Sequence, residues 1–420
     1  MENRGNIKRE LSDLAIFGGS PAFPEELYVG RPNIGNRQRL LERINEMLDR
    51  KWFTNQGPFV QELEQRIADL VGVEHCVATC NGTVALEIAI RAGGLTGEVI
   101  LPSMTFISTA HALQWQQITP VFCDIDPVTH NIDPKRVEEL ITPKTTGILG
   151  VHLWGRPCEI ESLTEIANRH GLKLLFDAAH ALGCSHNGRM IGGFGLAEVF
   201  SFHAAKFFNA FEGGAIVTND GELALRARMM KNIGFLNRDR VLYVGTNGKM
   251  TEASAAMGLT SLESIEQFVA INYRNYRGYR KALEGAPGAR LLAHTESEKS
   301  NYQYIVLEID EAAAEVHRDK LLKVLQAENI MAQRYFYPGC HNAEPYRLSR
   351  PQASAALAET ERLVDRVLLL PTGSAIGVDD INLICQIIRF VIEHGAQVTM
   401  MLEAGSVPGP QRRVSDDARV

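Results

Sequence analysis

Residues 174–220 read LLFDAAHALGCSHNGRMIGGFGLAEVFSFHAAKFFNAFEGGAIVTND. An apolar run, Leu174-Leu175-Phe176, stops at Asp177, and a second, Ala215-Ile216-Val217, follows the pair Gly213-Gly214. Short apolar runs bounded by turn residues suit buried strands. Between the two runs lies Lys206, with Ala205 before it and Phe207-Phe208 after it. A carboxylate at the end of a buried strand needs a partner. A lysine among apolar neighbours is pushed toward its neutral, nucleophilic form. The stretch therefore poses one question, namely what an acid and an amine held this way would act on.

Moving outward, short apolar runs alternate with helical patterns. Strands are expected at His75–Thr79, Val99–Pro102, Pro120–Cys123, Thr146–His152, Leu172–Asp177, Glu198–Phe202 and Gly214–Thr218. Helices are expected at Thr83–Ala92, Ile107–Gln114, Pro134–Ile141 and Ile160–His170. This alternation predicts an α/β layer, a mostly parallel mixed sheet between helices. In such sheets ligands gather at the carboxyl ends of the strands. Two helices, Arg37–Arg50 and Phe59–Val71, precede the sheet, joined by the turn WFTNQGP (52–58). After Asp220 the pattern is mainly helical: Glu222–Ile233, then Thr251–Leu283 with a break near Ser261, then His317–Asn329 and Ile381–Glu393. One strand, Tyr302–Glu308, lies among them. The expected organisation is a flexible N-terminus (1–13), a large domain with an N-terminal arm (14–265), a small α+β domain (266–403) and a disordered tail (404–420).

The formal net charge is −7 and no basic stripe is present, which argues against a nucleic-acid binder. The 7 cysteines and 12 histidines show no metal-ligand spacing, so no metal is expected. An odd number of cysteines, several in apolar runs, fits reduced thiols in the cytoplasm. No apolar stretch has the length of a membrane span, so no membrane partner is expected.

Asn81-Gly82-Thr83 sits between the first strand and its helix. Glycine lets the backbone approach a ligand, and the helix start offers free N–H groups to a phosphate. Plain helix capping by Asn81 or Thr83 explains the same residues. Asp177 could cap the next turn, and Lys206 could reach to solvent along its stem. Taken together, a Schiff-base lysine and an Asp for a pyridinium nitrogen are the pairing expected for pyridoxal 5′-phosphate (PLP).

Five blocks in order are NGTVAL (81–86), LPSMTFISTA (101–110), FDAAHALG (176–183), SFHAAKFFNAFEGGAIVTND (201–220) and NGKMTEASAAMGL (247–259). The series resembles the DegT/DnrJ/StrS family of sugar aminotransferases, PLP enzymes of fold type I, from about residue 14 to 395. The resemblance implies that Lys206 carries PLP and later moves the substrate proton, and that Asp177 keeps the ring nitrogen protonated. It implies that Phe106 stacks on the ring, that Gly82, Thr83 and Ser201 bind the phosphate, and that His180 contacts the ring hydroxyl. Asn247 would reach the partner's phosphate in a homodimer with shared sites. Where the family commonly has N-x-R-M, this chain has Asn247-Gly248-Lys249-Met250, and lysine does not replace a bidentate arginine. A dehydratase branch carries histidine in place of the lysine, and Lys206 argues against that branch.

The implied reaction is transfer of an amino group from L-glutamate to the keto group of a nucleotide-linked deoxysugar, dTDP-4-dehydro-6-deoxyglucose at C4. A cyclitol or 3-keto-sugar aminotransferase of the same family is the alternative, and a silent PLP-fold sensor or assembly protein is the rival outside enzymes. Candidate substrate residues are Arg31, Trp52, Asn55, Arg334, Tyr335 and His341.

Overall fold

The computed structural model describes residues 7–348 and 356–405. Its centre is a seven-stranded sheet: β1 His75–Thr79, β2 Glu98–Pro102, β3 Thr119–Cys123, β4 Thr145–Val151, β5 Lys173–Asp177, β6 Ala197–Ser201 and β7 Gly214–Thr218. The order across the sheet is β1-β7-β6-β5-β4-β2-β3. Strands β2 to β6 pair in parallel, while β7 runs antiparallel to both β1 and β6. The sheet is therefore mixed but mostly parallel, as its apolar runs predict.

Alternate residues of each strand enter opposite cores. In β5, Leu174 and Phe176 join one buried cluster and Leu175 the other. Helices cover both faces, which is why these strands read as continuous apolar runs. Local chemistry sets the helix ends. Asn36 caps Arg37–Arg50 by accepting from Arg39 N, and Asn81 caps Gly82–Ala92 by accepting from Val84 N. Left-handed Gly72 and Gly171 close Pro58–Val71 and Ile160–His170.

The geometry of β7 places the site. Gly214, its first residue, pairs with Thr79 and with Ser201, the last residues of β1 and β6. The segment from Ser201 to Gly214, which carries Lys206, thus leaves and re-enters the sheet at one edge. Asp177 ends β5 at that same edge, paired with Val151 and Val199.

A second, smaller sheet follows: β8 Ala289–Leu291, β9 Ile305–Ile309 and β10 Val367–Leu370, antiparallel, with β9 in the middle. Strands β8 and β10 and the helix Gly395–Glu403 were not expected from the sequence. The expected strand from Tyr302 begins instead at Ile305, because Tyr302 has a positive φ of 49°. The long helical stretch breaks at Ser264 rather than near Ser261, giving Glu252–Glu263 and Ile265–Leu283.

The N-terminal expectation needs correcting for residues 7–13. Lys8 is buried and pairs with buried Glu328 at 2.9 Å, and it also donates to the carbonyls of Asp13 and Ser20. The Glu328 carboxylate also accepts from Ala15 N and Ala22 N, so one buried acid ties down the segment from Lys8 to Ala22. The arm belongs with the small unit, since Leu14, Ala22 and Phe23 pack in the core formed by Ile305, Leu307 and Ile384. Residues 1–6 and 406–420, the latter being most of the expected tail, lie outside the described residues.

Candidate active site

A cavity of about 340 Å³ opens at the sheet edge defined by Asp177, Ser201 and Gly214. Lys206 and Asp177 both line it. The Lys206 amine donates to the Tyr304 hydroxyl at 2.9 Å. Burial lowers the Lys206 pKa to about 8, and the attraction of Asp177 offsets only part of that. Desolvation wins because the carboxylate makes no direct contact with the amine, whereas the half-buried side chain has lost much of its water.

Asp177 is held from two sides. Thr109 Oγ1 donates to its Oδ2 at 2.8 Å, and Ala179 N donates to its Oδ1 at 3.1 Å. Burial raises its pKa, opposed by those two bonds and then by Lys206. The carboxylate is therefore fixed and short of positive charge, which suits it to a protonated ring nitrogen.

Gly82 and Thr83 line the cavity at the start of an eleven-residue helix. A Cβ on Gly82 would lie 2.9 Å from the Ser201 Cβ, and one on Gly214 would lie 2.6 Å from the Asn81 carbonyl. The close approach of these backbones leaves a cradle at the helix N-terminus, with the Ser201 hydroxyl beside it, able to take a phosphate.

His180 also lines the cavity, and burial keeps its ring neutral, well below the usual histidine range. Its Nδ1 accepts from Trp154 N at 3.2 Å, leaving Nε2 to carry the proton. The ring stacks on Phe336 at 5.8 Å. Phe106 is 43% exposed at the cavity, with its ring 5.9 Å from that of Phe336.

The other sequence candidates are spread more widely. Asn247 is exposed and does not line the cavity. Its loop is tied down by Gly248 N donating to Lys231 O and Cys80 N donating to Gly248 O. Of the six substrate candidates only Tyr335 lines the cavity. His341 is placed elsewhere: it is buried between Ser103 Oγ at 2.6 Å from Nδ1 and Glu361 Oε1 at 2.8 Å from Nε2, a structural tie. Arg334 is exposed, lies 3.5 Å from Asp319 and stacks over Tyr337. Arg31, Trp52 and Asn55 are exposed outside the cavity. The turn holding Trp52 and Asn55 is clamped by Glu252, whose carboxylate accepts from Phe59 N and Val60 N and whose own N–H donates to Phe53 O.

Sequence reasoning missed Tyr304, Thr109 and Phe336. Thr109 stood inside the quoted block 101–110, three residues after Phe106 on the helix that faces Asp177. Nothing local marks Tyr304, which meets Lys206 across 98 residues of chain.

The family model for DegT/DnrJ/EryC1/StrS aminotransferases matches residues 35–389. The chain belongs to that family. It is an aminotransferase, and its cofactor is PLP. It is similar to a dTDP-4-amino-4,6-dideoxy-D-glucose transaminase of Escherichia coli, 36% identical over 346 residues, covering 82% of this chain and 92% of that protein. It is 33% identical over 360 residues to a GDP-perosamine synthase of Caulobacter vibrioides, covering 84% of this chain and 92% of that one. Among solved structures, DesI in the presence of its TDP-sugar product superposes with a TM-score of 0.90 at 52% identity, covering 94% of this chain and 100% of that one. The aminotransferase fold and the cavity agree, for the cradle, the buried acid and the amine all fit PLP.

Proposed function

We propose that this aminotransferase moves an amino group from L-glutamate to C4 of dTDP-4-dehydro-6-deoxyglucose, and that Lys206 and Asp177 carry the chemistry. The observation that carries the reading is the pair itself: a half-buried amine with its pKa lowered to about 8 and a buried, doubly bonded carboxylate line one cavity beside a phosphate cradle. The named relatives support the substrate, because both the E. coli protein and DesI are described by dTDP- or TDP-sugars.

When bound, PLP supplies an electron sink that lets an amino acid lose its α proton. The chain's residues do the rest. Lys206 would anchor the cofactor, and its free amine would take and return the proton. Asp177 holds positive charge on the ring nitrogen, kept in place by Thr109 and Ala179. Gly82, Thr83 and Ser201 would take the phosphate, Phe106 would lie against the ring, and the neutral His180 would have Nε2–H to offer the ring hydroxyl. Tyr335 is the sequence candidate that remains for the sugar.

The working form in this reading is a homodimer in the cytoplasm. Apolar residues stand exposed along the segment leading to Asn247: Ile233, Leu236, Val241, Leu242 and Val244. A second copy seated there would cover them and bring Asn247 to a neighbouring site. All 7 cysteines are free thiols, which supports a reducing compartment. Among the described residues no helix is long and apolar enough to cross a membrane.

The test is amination by the PLP-loaded enzyme with L-glutamate, offered dTDP-4-dehydro-6-deoxyglucose, a 3-keto isomer and scyllo-inosose, with products read by mass and NMR. Amination of the first ketone supports the reading, whereas amination of the cyclitol alone overturns the choice of substrate. Sedimentation at micromolar concentration checks the dimer.

A further inference from the structure

The cavity is built from two units. Asp177, Ser201 and Lys206 come from the large sheet, but Tyr304 immediately precedes β9 of the small one. Its hydroxyl is the hydrogen-bond partner of the Lys206 amine, at 2.9 Å, and the amine lies 5.5 Å from the Tyr304 ring centre. Tyr304 is 8% exposed and packs with Met104, Trp154 and Val306, so its position is set by its core neighbours and not by the lysine. Its ring stands edge-on to His180 at 4.8 Å and to Tyr335 at 6.4 Å.

We propose that Tyr304 is a positioning residue for the transamination: its hydroxyl, delivered by the small unit, holds and aims the free amine of Lys206. This rests on the reading of Lys206 as the cofactor lysine. A four-carbon side chain has several free rotations, and an amine that must move a proton has to return to one place at each turnover. Among the described residues the amine's hydrogen bond is the one to Tyr304, and Asp177 acts on it at a distance. The lysine is in working order when the two units are packed together.

The hydroxyl also biases the charge of the lysine. Burial raises the Tyr304 pKa, so the phenol stays neutral and can accept from an ammonium or donate to an amine. The bond to the ammonium is the stronger of the two, because it is charge-assisted. Tyr304 therefore works against the desolvation that lowers the lysine's pKa, and removing the hydroxyl lowers that pKa further. The groups facing the pair are Asp177, whose charge favours the ammonium, and His180 and Tyr335, both neutral. His203 and Glu212, 3.5 Å apart, also line the cavity.

The experiment uses the full chain freed of PLP. Competitive acylation across a pH series, read by mass spectrometry of the Lys206 peptide, gives the midpoint at which the amine becomes reactive. In the wild type this midpoint is expected at about 8. In Tyr304→Phe, which keeps the ring, it is expected to fall by roughly half a unit to one unit. Once PLP is restored, kcat of that variant is expected to fall roughly ten- to a hundredfold, with KM for the sugar little changed. Tyr335→Phe, in the same ring cluster but not bonded to the amine, should leave the midpoint in place. Biosynthetic fluorotyrosine, a poorer acceptor of the same shape, gives a second measurement and should move the midpoint in the same direction. An unchanged or raised midpoint in Tyr304→Phe and in the fluorinated chain overturns the proposal. Borohydride reduction of the loaded wild type tests the underlying reading separately: a label found away from Lys206 sinks that reading, whereas a label on Lys206 with an unmoved midpoint sinks only the role of Tyr304.

Discussion

Two buried carboxylates stand side by side in the central sheet and do different work. Asp177 ends β5 and pairs with Val199; Glu198, one residue earlier on β6, pairs with Phe176. The period of two sends them to opposite faces. Glu198 is fully buried, accepts from Phe194 N at 3.1 Å and lies 3.9 Å from the equally buried His152 Nε2. Asp177 is almost as buried but fronts a cavity that also holds an amine. Burial by itself therefore does not mark the reactive acid. What separates the two is open space in front of Asp177, shaped for a ligand that can return the charge.

The strongest way to break this contrast lies on the cavity side. Lys206→Ala is expected to remove PLP-dependent activity, by more than the roughly 10²- to 10⁴-fold of a lost acid–base group alone, together with the visible absorbance of the loaded enzyme. Asp177→Asn keeps the size and the bond from Ala179, and its new NH2 can donate to the Thr109 hydroxyl in place of the bond that hydroxyl donated, but the charge is lost. Its half-reaction with glutamate, followed by stopped flow, should slow by roughly 10²- to 10⁴-fold, with thermal stability kept. If Asp177→Asn works at full rate, the distinction between the two acids fails.

Smaller effects sharpen it. Gly82→Ala places a methyl group 2.9 Å from the Ser201 Cβ. PLP affinity, measured by equilibrium dialysis, should weaken roughly ten- to a hundredfold, as expected when one or two phosphate bonds are lost. On the opposite face, Glu198→Ala strands Phe194 N. It should cost about 1–3 kcal/mol of stability, seen as earlier melting, with kcat per folded molecule unchanged. Trp52→Ala and Asn55→Ala, on the exposed turn, should alter KM for the sugar by no more than a few-fold in steady-state assays if the dimer forms normally.

The same contrast explains what could be read in the sequence. All seven strands of the main sheet were legible, because a strand buried on both faces must be apolar throughout. Asp177 and Lys206 were legible as polar interruptions of those runs, and Gly82 as a glycine where a helix meets a strand. Thr109 and Tyr304 were not, because each is an ordinary residue in its own element. They acquire meaning only by meeting Asp177 and Lys206 across 68 and 98 residues of chain. The rim candidates, Tyr335 apart, stand away from the cavity in this chain. Trp52, Asn55 and Arg334 look like binding residues in the sequence, yet the clamp at Glu252 and the pair with Asp319 account for where they lie. His341 was a candidate for the substrate, and its two ring nitrogens are already taken by Ser103 and Glu361. Short β8 and β10 carry too few residues to show a period, and the arm's attachment depends on Glu328, which lies some three hundred residues away.

The most direct test of the central claim is reduction of the PLP-loaded enzyme with borohydride, followed by peptide mapping, with Asp177→Asn and Glu198→Ala alongside the wild type. The account requires the label on Lys206 in all three proteins, and glutamate-driven loss of the visible absorbance in the wild type and Glu198→Ala but not at a comparable rate in Asp177→Asn. A label on another lysine, or equal rates in Asp177→Asn and the wild type, would contradict it.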